Sequence, residues 1–302
     1  MLVVSNERSH DLTLIDGATL RVVGTVPVGA RARGVRLAPD GKTVLVALSG
    51  DLIKTPDPND GIGVVDLASR RVLRRYKSGT DPEQFAITPD ARRIFVSNED
   101  AGTASSIDPV SGEVRKALVV GTEPEGVTAS PDGKWVYVTG ETSNTVSVID
   151  VGAERVVATF LVDARPRAVA FAPDGRFAFV TSEVGGSVAR VDARKHRVLA
   201  RALIGTGQEK PVGVAVSPDG RRIYVATGAA HALVELDAAT LREVGRVTVG
   251  RRPWGVALSP DGRTAYTANG LSDDMSVVAL PAMQVINTVR VGTRPWGLAV
   301  VP

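Results

Sequence analysis

The sequence predicts an all-β fold: a seven-bladed β-propeller of four-stranded antiparallel blades, with the ring closed by pairing of the C-terminal strand with the N-terminal strand. Three observations lead to this prediction. A turn signature recurs about every 42 residues, the residues between turns alternate with period two, and the two ends of the chain complete one repeat between them. A repeat near 42 residues is typical of four-stranded propeller blades.

The recurring turn is Pro-Asp-Gly, in which Pro presets φ, Asp bonds its own backbone and Gly accepts a positive φ. Its proline, or that of the Pro-Asp-Ala variant at residue 89, stands at Pro39, Pro89, Pro131, Pro173, Pro218 and Pro260, and Pro302 ends the chain at the same point of the repeat. These aspartates are therefore predicted to form turns and not to carry chemistry.

Between turns, apolar and β-branched residues alternate with small or polar ones, which predicts short strands. In the unit that begins at Val127 we expect strands over 127–130, 135–139, 146–150 and 156–162. No apolar stripe has the spacing of a helix, so helices should be nearly absent.

The chain ends on Arg294-Pro295-Trp296-Gly297 and the start of a strand, and the strand that should follow is Leu2-Val3-Val4-Ser5-Asn6 at the other end. We therefore expect one domain over 1–302, with a closure blade formed by 1–29 and 293–302. Two units are longer than the rest, around 50–59 and 205–210. These insertions are either changes of loop length that the fold tolerates or loops with a function.

Composition limits the function classes. Of 302 residues 43% are hydrophobic, and the formal net charge is only +3, so charge gives no argument for nucleic-acid binding. Cysteine is absent, which excludes disulfides and thiolate metal sites. No apolar run has the length of a membrane helix, so we expect no membrane insertion. Met1 leads directly into a strand, which indicates a cytoplasmic protein or one whose export signal has been removed.

Alignment of the repeats reveals a candidate ligand-binding funnel. Each repeat has a second proline, in the loop before the strand that lines the channel, although Ala32 takes its place in one unit. The residue that follows this loop proline varies between units. In ring order it is Trp296, Arg33, Glu83, Glu125, Arg167, Val212 and Trp254. The residue before the loop proline is, in the same order, Arg294, Arg31, Asp81, Glu123, Arg165, Lys210 and Arg252. Ends of the second strands on the same side add Glu7, Glu99, Glu141 and Glu183. This predicts a funnel with an ion-paired half and an aromatic half of exposed tryptophans, although Arg–Glu pairs that only join blades would look the same.

Other chemistry is weakly supported. His10 and His231 occupy equivalent loops, and His196 lies in a turn on the opposite side. Three histidines placed in this way cannot supply the three or four ligands that a zinc site needs. We therefore expect each histidine to lie in a turn or face solvent. No Gly-rich phosphate loop and no Gly-x-Ser-x-Gly elbow is present. We expect no cofactor, and no catalytic residue is assigned. A calcium ion at the centre of the funnel is left as an alternative, because calcium takes oxygen ligands and the funnel is rich in carboxylates. The arginines of the funnel oppose calcium binding, because they already neutralise those carboxylates.

The repeats resemble the YVTN family of β-propellers, on the evidence of Trp135-Val136-Tyr137-Val138-Thr139, Asn144 to Asp150 and Pro124-Glu125-Gly126-Val127. A narrower resemblance, carried above all by Pro82-Glu83-Gln84-Phe85 and Asp163-Ala164-Arg165-Pro166-Arg167, is to the propeller family associated with pyrroloquinoline quinone-dependent catabolism. That resemblance implies a periplasmic protein that accompanies quinoprotein alcohol dehydrogenases.

Three functions follow as hypotheses. The first is a monomeric, non-enzymatic periplasmic propeller that binds a small molecule or a partner protein, such as a redox protein, at the funnel. The second is a hydrolase of lactones or esters that uses a metal or a Glu as general base in the same funnel. The third is a structural platform that makes contacts through the insertion at 50–59.

Overall fold

The computed structural model of this protein describes residues 1–52 and 55–302. Within those residues, 28 strands form seven four-stranded antiparallel sheets, and each innermost strand packs beside the innermost strands of two neighbouring sheets, so the sheets close into a ring. The predicted fold class is confirmed.

Each blade runs from an inner strand at the central channel to a fourth strand at the rim. The inner strands are β4 (Arg31–Leu37), β8 (Pro82–Ile87), β12 (Pro124–Ala129), β16 (Pro166–Phe171), β20 (Pro211–Val216), β24 (Pro253–Leu258) and β28 (Pro295–Val300). The second strands are β1 (Leu2–Asn6), β5 (Thr43–Ser49), β9 (Ile94–Asn98), β13 (Trp135–Gly140), β17 (Phe177–Ser182), β21 (Arg222–Thr227) and β25 (Thr264–Asn269). The third strands are β2 (Asp11–Ile15), β6 (Gly61–Asp66), β10 (Thr103–Ile107), β14 (Thr145–Asp150), β18 (Ser187–Asp192), β22 (Ala232–Asp237) and β26 (Asp274–Ala279). The fourth strands are β3 (Val22–Pro27), β7 (Arg71–Tyr76), β11 (Val114–Val119), β15 (Arg155–Leu161), β19 (Arg197–Leu203), β23 (Glu243–Thr248) and β27 (Gln284–Arg290).

The expected scarcity of helix is confirmed for the described residues, in which the one helix is a 3₁₀ turn over Leu280–Ala282. The strands predicted for the unit at Val127 are present with shifted ends. Strand β12 begins at Pro124, three residues before the predicted start, because a β-bulge interrupts its pairing between Pro124 and Val127. Alternation of apolar residues starts only after the bulge, which is why the pattern placed the strand too late.

Ring closure is formed by the two ends of the chain. Strand β28 pairs antiparallel with β1, with Leu2 opposite Val300 and Val3 opposite Ala299. The Met1 amino group also donates to Val301 O at 2.7 Å. The closure blade thus consists of β28 and β1 to β3, as the truncated repeat at each terminus predicts.

The Pro-Asp-Gly units form turns as expected. In the unit at Pro131, Asp132 Oδ1 accepts bonds from Ser130 Oγ and the Lys134 amide, and Gly133 has a φ of +72°. The second and third strands then present Val, Ile, Leu and Ala to the spaces between blades, where they form the buried clusters of the core. The fourth strands alternate between exposed and half-buried residues, so the core lies toward the channel side of each sheet.

The insertion predicted at 50–59 falls partly on residues 53 and 54, which lie outside the described residues. Around them, buried Asp60 accepts bonds from the amides of Gly50 and Asp57, and so fixes the base of this loop. Among the described residues, no helix has the length and apolar character needed to cross a membrane.

Candidate functional site

The funnel residue that follows the loop proline lies, in every blade, in a β-bulge at the start of the inner strand. Pairing with the second strand is interrupted between residues 32 and 35, 82 and 85, 124 and 127, 166 and 169, 211 and 214, 253 and 256, and at the equivalent point of β28. A bulge places two residues against one on the partner strand and redirects their side chains. The fold therefore presents one variable side chain per blade, at one depth, around the channel.

Hydroxyl groups hold these bulges in position across the blade boundary. The second strand of one blade donates to the inner strand of the next: Ser97 Oγ to Glu125 O at 2.7 Å, Ser5 Oγ to Arg33 O, and Thr181 Oγ1 to Val212 O. The site is thus positioned by buried contacts between blades and not by mobile loops.

A second set of hydrogen bonds brings the acidic strand ends next to the loops. The amides of Glu99, Glu141, Glu183 and Glu7 donate to the carbonyls of Asp81, Glu123, Arg165 and Arg294, at 3.1, 2.9, 2.8 and 2.9 Å. In the aromatic half the equivalent donors are Gly228 and Gly270, which bond Lys210 and Arg252. Absence of a side chain at these two glycines leaves room on that side; a Cβ at Gly270 would lie 2.8 Å from Trp254 Cδ1.

The first charged cluster is built around Arg33. Its guanidinium pairs with Glu83 and lies 3.5 Å from Glu99, 3.7 Å from Asp81 and 3.8 Å from Glu7. Arg31 joins the same acids at 2.9 Å from Asp81. Arg33 and Glu83 are both buried, so this cluster is a desolvated network and not a set of surface pairs.

Burial raises the pKa of Glu99 to about 7, because the charge of Arg33 compensates only part of the desolvation and the neighbouring acids Asp81, Glu141 and Glu123 oppose ionisation. Carboxylate oxygens of Asp81, Glu83 and Glu99 lie within 4.8 Å of one another, as a cation site would require. The Arg33 guanidinium, however, already contacts all three. A calcium ion would fit this cluster only after displacement of Arg33, so these residues do not favour the metal that the sequence left open.

Glu99→Gln should stabilise the protein by roughly 1–2 kcal/mol above pH 7. In the folded protein Glu99 holds its proton up to about pH 7, whereas its ordinary pKa is 4.5. The protonated side chain therefore favours the folded state fully below pH 4.5, and this stabilisation is lost as the pH rises through about 7. Chemical denaturation at pH 8 and pH 4 measures the effect, which should vanish at pH 4. Glu113→Gln, at an exposed site, is the control; an equal gain for both variants, or none at pH 8, would contradict the assignment.

The second charged cluster is built around Arg167, in the next blades of the ring. Its guanidinium pairs with Glu125, with Glu141 at 2.5 Å and with Glu183 at 2.7 Å, and all three acids are buried. Arg165 and Arg252 add contacts of 2.5 Å to Glu141 and 2.8 Å to Glu183. Burial opposes ionisation of Glu183, but its bonds to Arg167 and Arg252 outweigh this and lower its pKa, so it remains a carboxylate at neutral pH.

Glu125 and Glu141 form a carboxyl pair beside Arg167. Burial, together with the hydrogen bond and the negative charge of Glu125, raises the pKa of Glu141 to about 7 against the opposing charges of Arg167 and Arg165. Two acids in contact cannot both ionise easily, so Glu141 holds its proton to a higher pH than an isolated glutamate does.

The two tryptophans of the aromatic half form a pair, but their exposure differs from the prediction. Trp254 and Trp296 stack with ring centroids 6.1 Å apart and an interplanar angle of 18°. Trp296 is only 9% exposed, so the prediction of two exposed tryptophans is wrong: Trp296 is packed at the closing blade and Trp254 is the more accessible ring. The guanidinium carbons of Arg252 and Arg167 lie 4.6 and 5.3 Å from the Trp254 ring centroid, which connects the two halves of the funnel.

Arg294 stands apart from the other predicted funnel residues. Its side chain is exposed, and no ion pair to a described acid joins it to either cluster. His196 is also placed differently from a solvent-facing turn: its Nδ1 lies 2.7 Å from the Tyr137 hydroxyl and its ring packs edge-on against Trp135. It therefore has a packing role between blades.

A cavity of about 320 Å³ runs from the funnel into the channel and is lined by Glu125, Arg167, Trp254 and Trp296. That volume lies at the lower end of the range for small-molecule sites. Its other polar lining residues include Gln84 and Arg36, which the alignment of funnel positions did not identify. Their signal is a departure from the repeat: Gln84 follows the funnel position where other blades have Gly or Ala, and Arg36 stands where they have Ala or Thr.

Fold and site together define a class, the seven-bladed propellers with a charged funnel on the channel axis. Within that class, residues 10–160, half of the chain, match the family model for the choice-of-anchor I domain, and the chain belongs to that family. Residues 154–285 match the model for "Lactonase, 7-bladed beta-propeller".

Solved structures with the same architecture include proteins from three bacteria. The periplasmic gluconolactonase of Pseudomonas aeruginosa is 25% identical, with a TM-score of 0.81 over 100% of this chain and 99% of that one. Hydrazine synthase of Kuenenia stuttgartiensis is 24% identical (TM-score 0.81, 92% and 91% covered), and a functionally unknown protein of Desulfotomaculum acetoxidans is 17% identical (0.82, 99% and 98%); these two show the fold alone. No curated protein matches the sequence. The association with pyrroloquinoline quinone stays a prediction.

Proposed function

We propose that this protein hydrolyses lactones in the funnel, with Glu125 as general base and Arg167 as the group that stabilises the oxyanion. The observation that carries the proposal is the contact of Glu125 with Glu141 and with the buried guanidinium of Arg167 at the wall of the funnel cavity. A carboxylate base next to a positioned cation is what acyl-group hydrolysis requires. The match to the lactonase propeller model and the 25% identity to a gluconolactonase support the substrate class.

The step balances without a further reactant. Glu125 accepts a proton from water as the water oxygen bonds to the lactone carbonyl carbon, and Arg167 stabilises the negative charge that forms on the carbonyl oxygen. The ring C–O bond then breaks, and Glu125 returns its proton to the departing ring oxygen. One lactone and one water give one hydroxy acid. The face of Trp254 offers an apolar wall for the ring of the substrate.

Glu141 acts as a positioning residue in this scheme. While protonated, it hydrogen-bonds Glu125 and leaves Arg167 facing two carboxylates, Glu125 and Glu183, in place of three. Arg167 therefore retains positive charge for the oxyanion. Ionisation of Glu141 would add a third negative charge to the same guanidinium and weaken that stabilisation.

The rate should accordingly depend on pH with a defined sign. We expect kcat/KM for lactone hydrolysis, corrected for spontaneous ring opening, to fall as the pH rises through about 7, where Glu141 loses its proton. Glu141→Gln keeps a hydrogen-bond donor that cannot ionise, so this variant should retain activity and lose the alkaline decline. An alkaline decline that persists in Glu141→Gln would rule out this role.

The direct test of the function is a pH-stat assay of purified protein on aldonolactones, simple γ- and δ-lactones and aryl esters, with and without added calcium after dialysis against chelator. Turnover of lactones without added metal supports the proposal. Turnover that requires calcium would instead favour the acids around Arg33 as a metal site, and no turnover of any substrate would overturn hydrolysis.

A second candidate is the non-enzymatic one: a periplasmic propeller of a quinoprotein-linked system that binds a small molecule or a redox partner at the funnel. The observation that favours it is the stack of Trp254 on Trp296 beside Arg252, because Trp and Arg are preferred recognition residues. Calorimetry with wild type and with Trp254→Ala/Trp296→Ala tests it. Ligand binding that depends on the tryptophans, in a protein without turnover, would support this candidate.

A further inference from the structure

One position in the channel breaks the symmetry of the ring. Three residues beyond the funnel position, six inner strands carry a small side chain and the seventh carries Arg36. The six small residues are Ala299, Ala86, Thr128, Ala170, Ala215 and Ala257. Each of them pairs with a large aromatic residue on the second strand, except Ala299 at the closure blade. Because the other six are small, the Arg36 side chain has room to extend across the channel.

Hydrogen bonds fix the course of that side chain. Arg36 Nε donates to Phe85 O at 2.6 Å in the next blade, and Nη2 donates to Val127 O at 3.3 Å in the blade beyond it. Arg36 therefore reaches past one complete inner strand. It lines both the cavity under the funnel and a second cavity of about 420 Å³ farther along the channel, so its guanidinium lies between them.

The charge of Arg36 has no acidic partner among the described residues. Arg33 and Arg167 lie in networks of acids, whereas no carboxylate lies within 4.0 Å of Arg36, and its Nη1 makes no hydrogen bond to a described group. Burial in the ring lowers its pKa, and no neighbouring charge opposes that effect. Arg36 is half-buried, and a cation that is largely withdrawn from water normally pairs with an anion; guanidinium groups pair with carboxylates in a fixed geometry.

We propose that Arg36 is an anion-binding site on the channel axis that takes a small organic carboxylate. The free Nη1 supplies donors toward the cavity, and the two carbonyl bonds hold the guanidinium in place. The cavity that receives the ligand also contains Glu125 and Arg167, so a hydroxy acid formed there has its carboxylate bound by Arg36. This last step, retention of the product, rests on the proposed lactone hydrolysis; the anion site itself does not.

Isothermal titration calorimetry with D-gluconate, acetate and neutral D-glucitol tests the site on the intact protein. Wild type should bind gluconate at least tenfold more tightly than glucitol, since a charge-assisted hydrogen bond is worth about that factor. Arg36→Gln should lose this preference, and Arg36→Lys should retain part of it because the charge remains. The matched control Arg263→Gln removes one arginine from an exposed turn and should bind as wild type does.

The two proposals fail separately. Equal binding of gluconate and glucitol by wild type overturns the anion site even if Arg36→Gln does not fold, and so does gluconate binding that is unchanged in a folded Arg36→Gln. Lactone turnover with no gluconate binding removes the anion site and leaves hydrolysis standing. Arg36-dependent gluconate binding without lactone turnover removes hydrolysis and leaves the anion site standing.

Discussion

Glu125→Gln should lower kcat for lactone hydrolysis by about 10²–10⁴-fold, the usual contribution of a general base. Glutamine keeps the size of the side chain and can still contact Arg167, but it cannot accept the proton of the attacking water. KM should change little, since the apolar wall of the cavity and the other polar groups are unaltered. Initial rates on the best substrate of the lactone panel measure the effect.

Two controls make that result specific. Glu243→Gln removes a carboxylate that pairs with Arg246 on an exposed outer strand, and it should leave kcat unchanged. Thermal unfolding of Glu125→Gln should remain cooperative, because the substitution is isosteric within a hydrogen-bonded network. A folded Glu125→Gln with more than about a third of wild-type kcat would remove Glu125 from the mechanism.

Deletion of residues 297–302 should abolish cooperative unfolding. This deletion removes most of β28, which leaves β1 as an unpaired edge and strips Ala299 and Val301 from the buried cluster between the closure blade and the next. An open ring exposes strand edges and core residues at one seam, and the energetic cost is not confined to the missing strand. Calorimetric and circular-dichroism melts should show a broad transition in place of a single one.

The matched control is deletion of Pro302 alone, because this residue is exposed and lies beyond the last paired position. Its melting curve should equal that of the full chain. The longer deletion should also lose ligand binding, since Leu298 lines the cavity and the Gly297 amide donates to Ser5 Oγ at 2.9 Å, the hydroxyl that holds the Arg33 carbonyl. A 297–302 deletion that melts cooperatively at the wild-type temperature would show that the ring does not depend on this seam.

Much of the site follows from the repeat. Arg33, Glu83, Glu125, Arg167 and Trp254 could be identified as funnel residues because a fixed register in each blade brings equivalent positions to one depth of the channel. The same register would have identified Arg36, had the position three residues farther along been compared between blades. The alignment predicted an ion-paired half of the funnel, but it did not show which acid pairs with which arginine, because that depends on how far each side chain reaches toward the next blade.

By itself, the sequence determined the fold class, the number of blades, the closing strand pair and the ring order of the funnel side chains, because each of these follows from local periodicity and turn chemistry repeated along the chain. Tertiary structure alone decided the exposure of Trp296, the contact with Glu125 that raises the pKa of Glu141, the occupation of the acidic cluster by Arg33 and the isolation of the Arg36 charge. These depend on desolvation and on distances between blades. A one-dimensional pattern carries neither, since the pKa of a carboxyl and the partner of a guanidinium are set by neighbours that are remote in the chain.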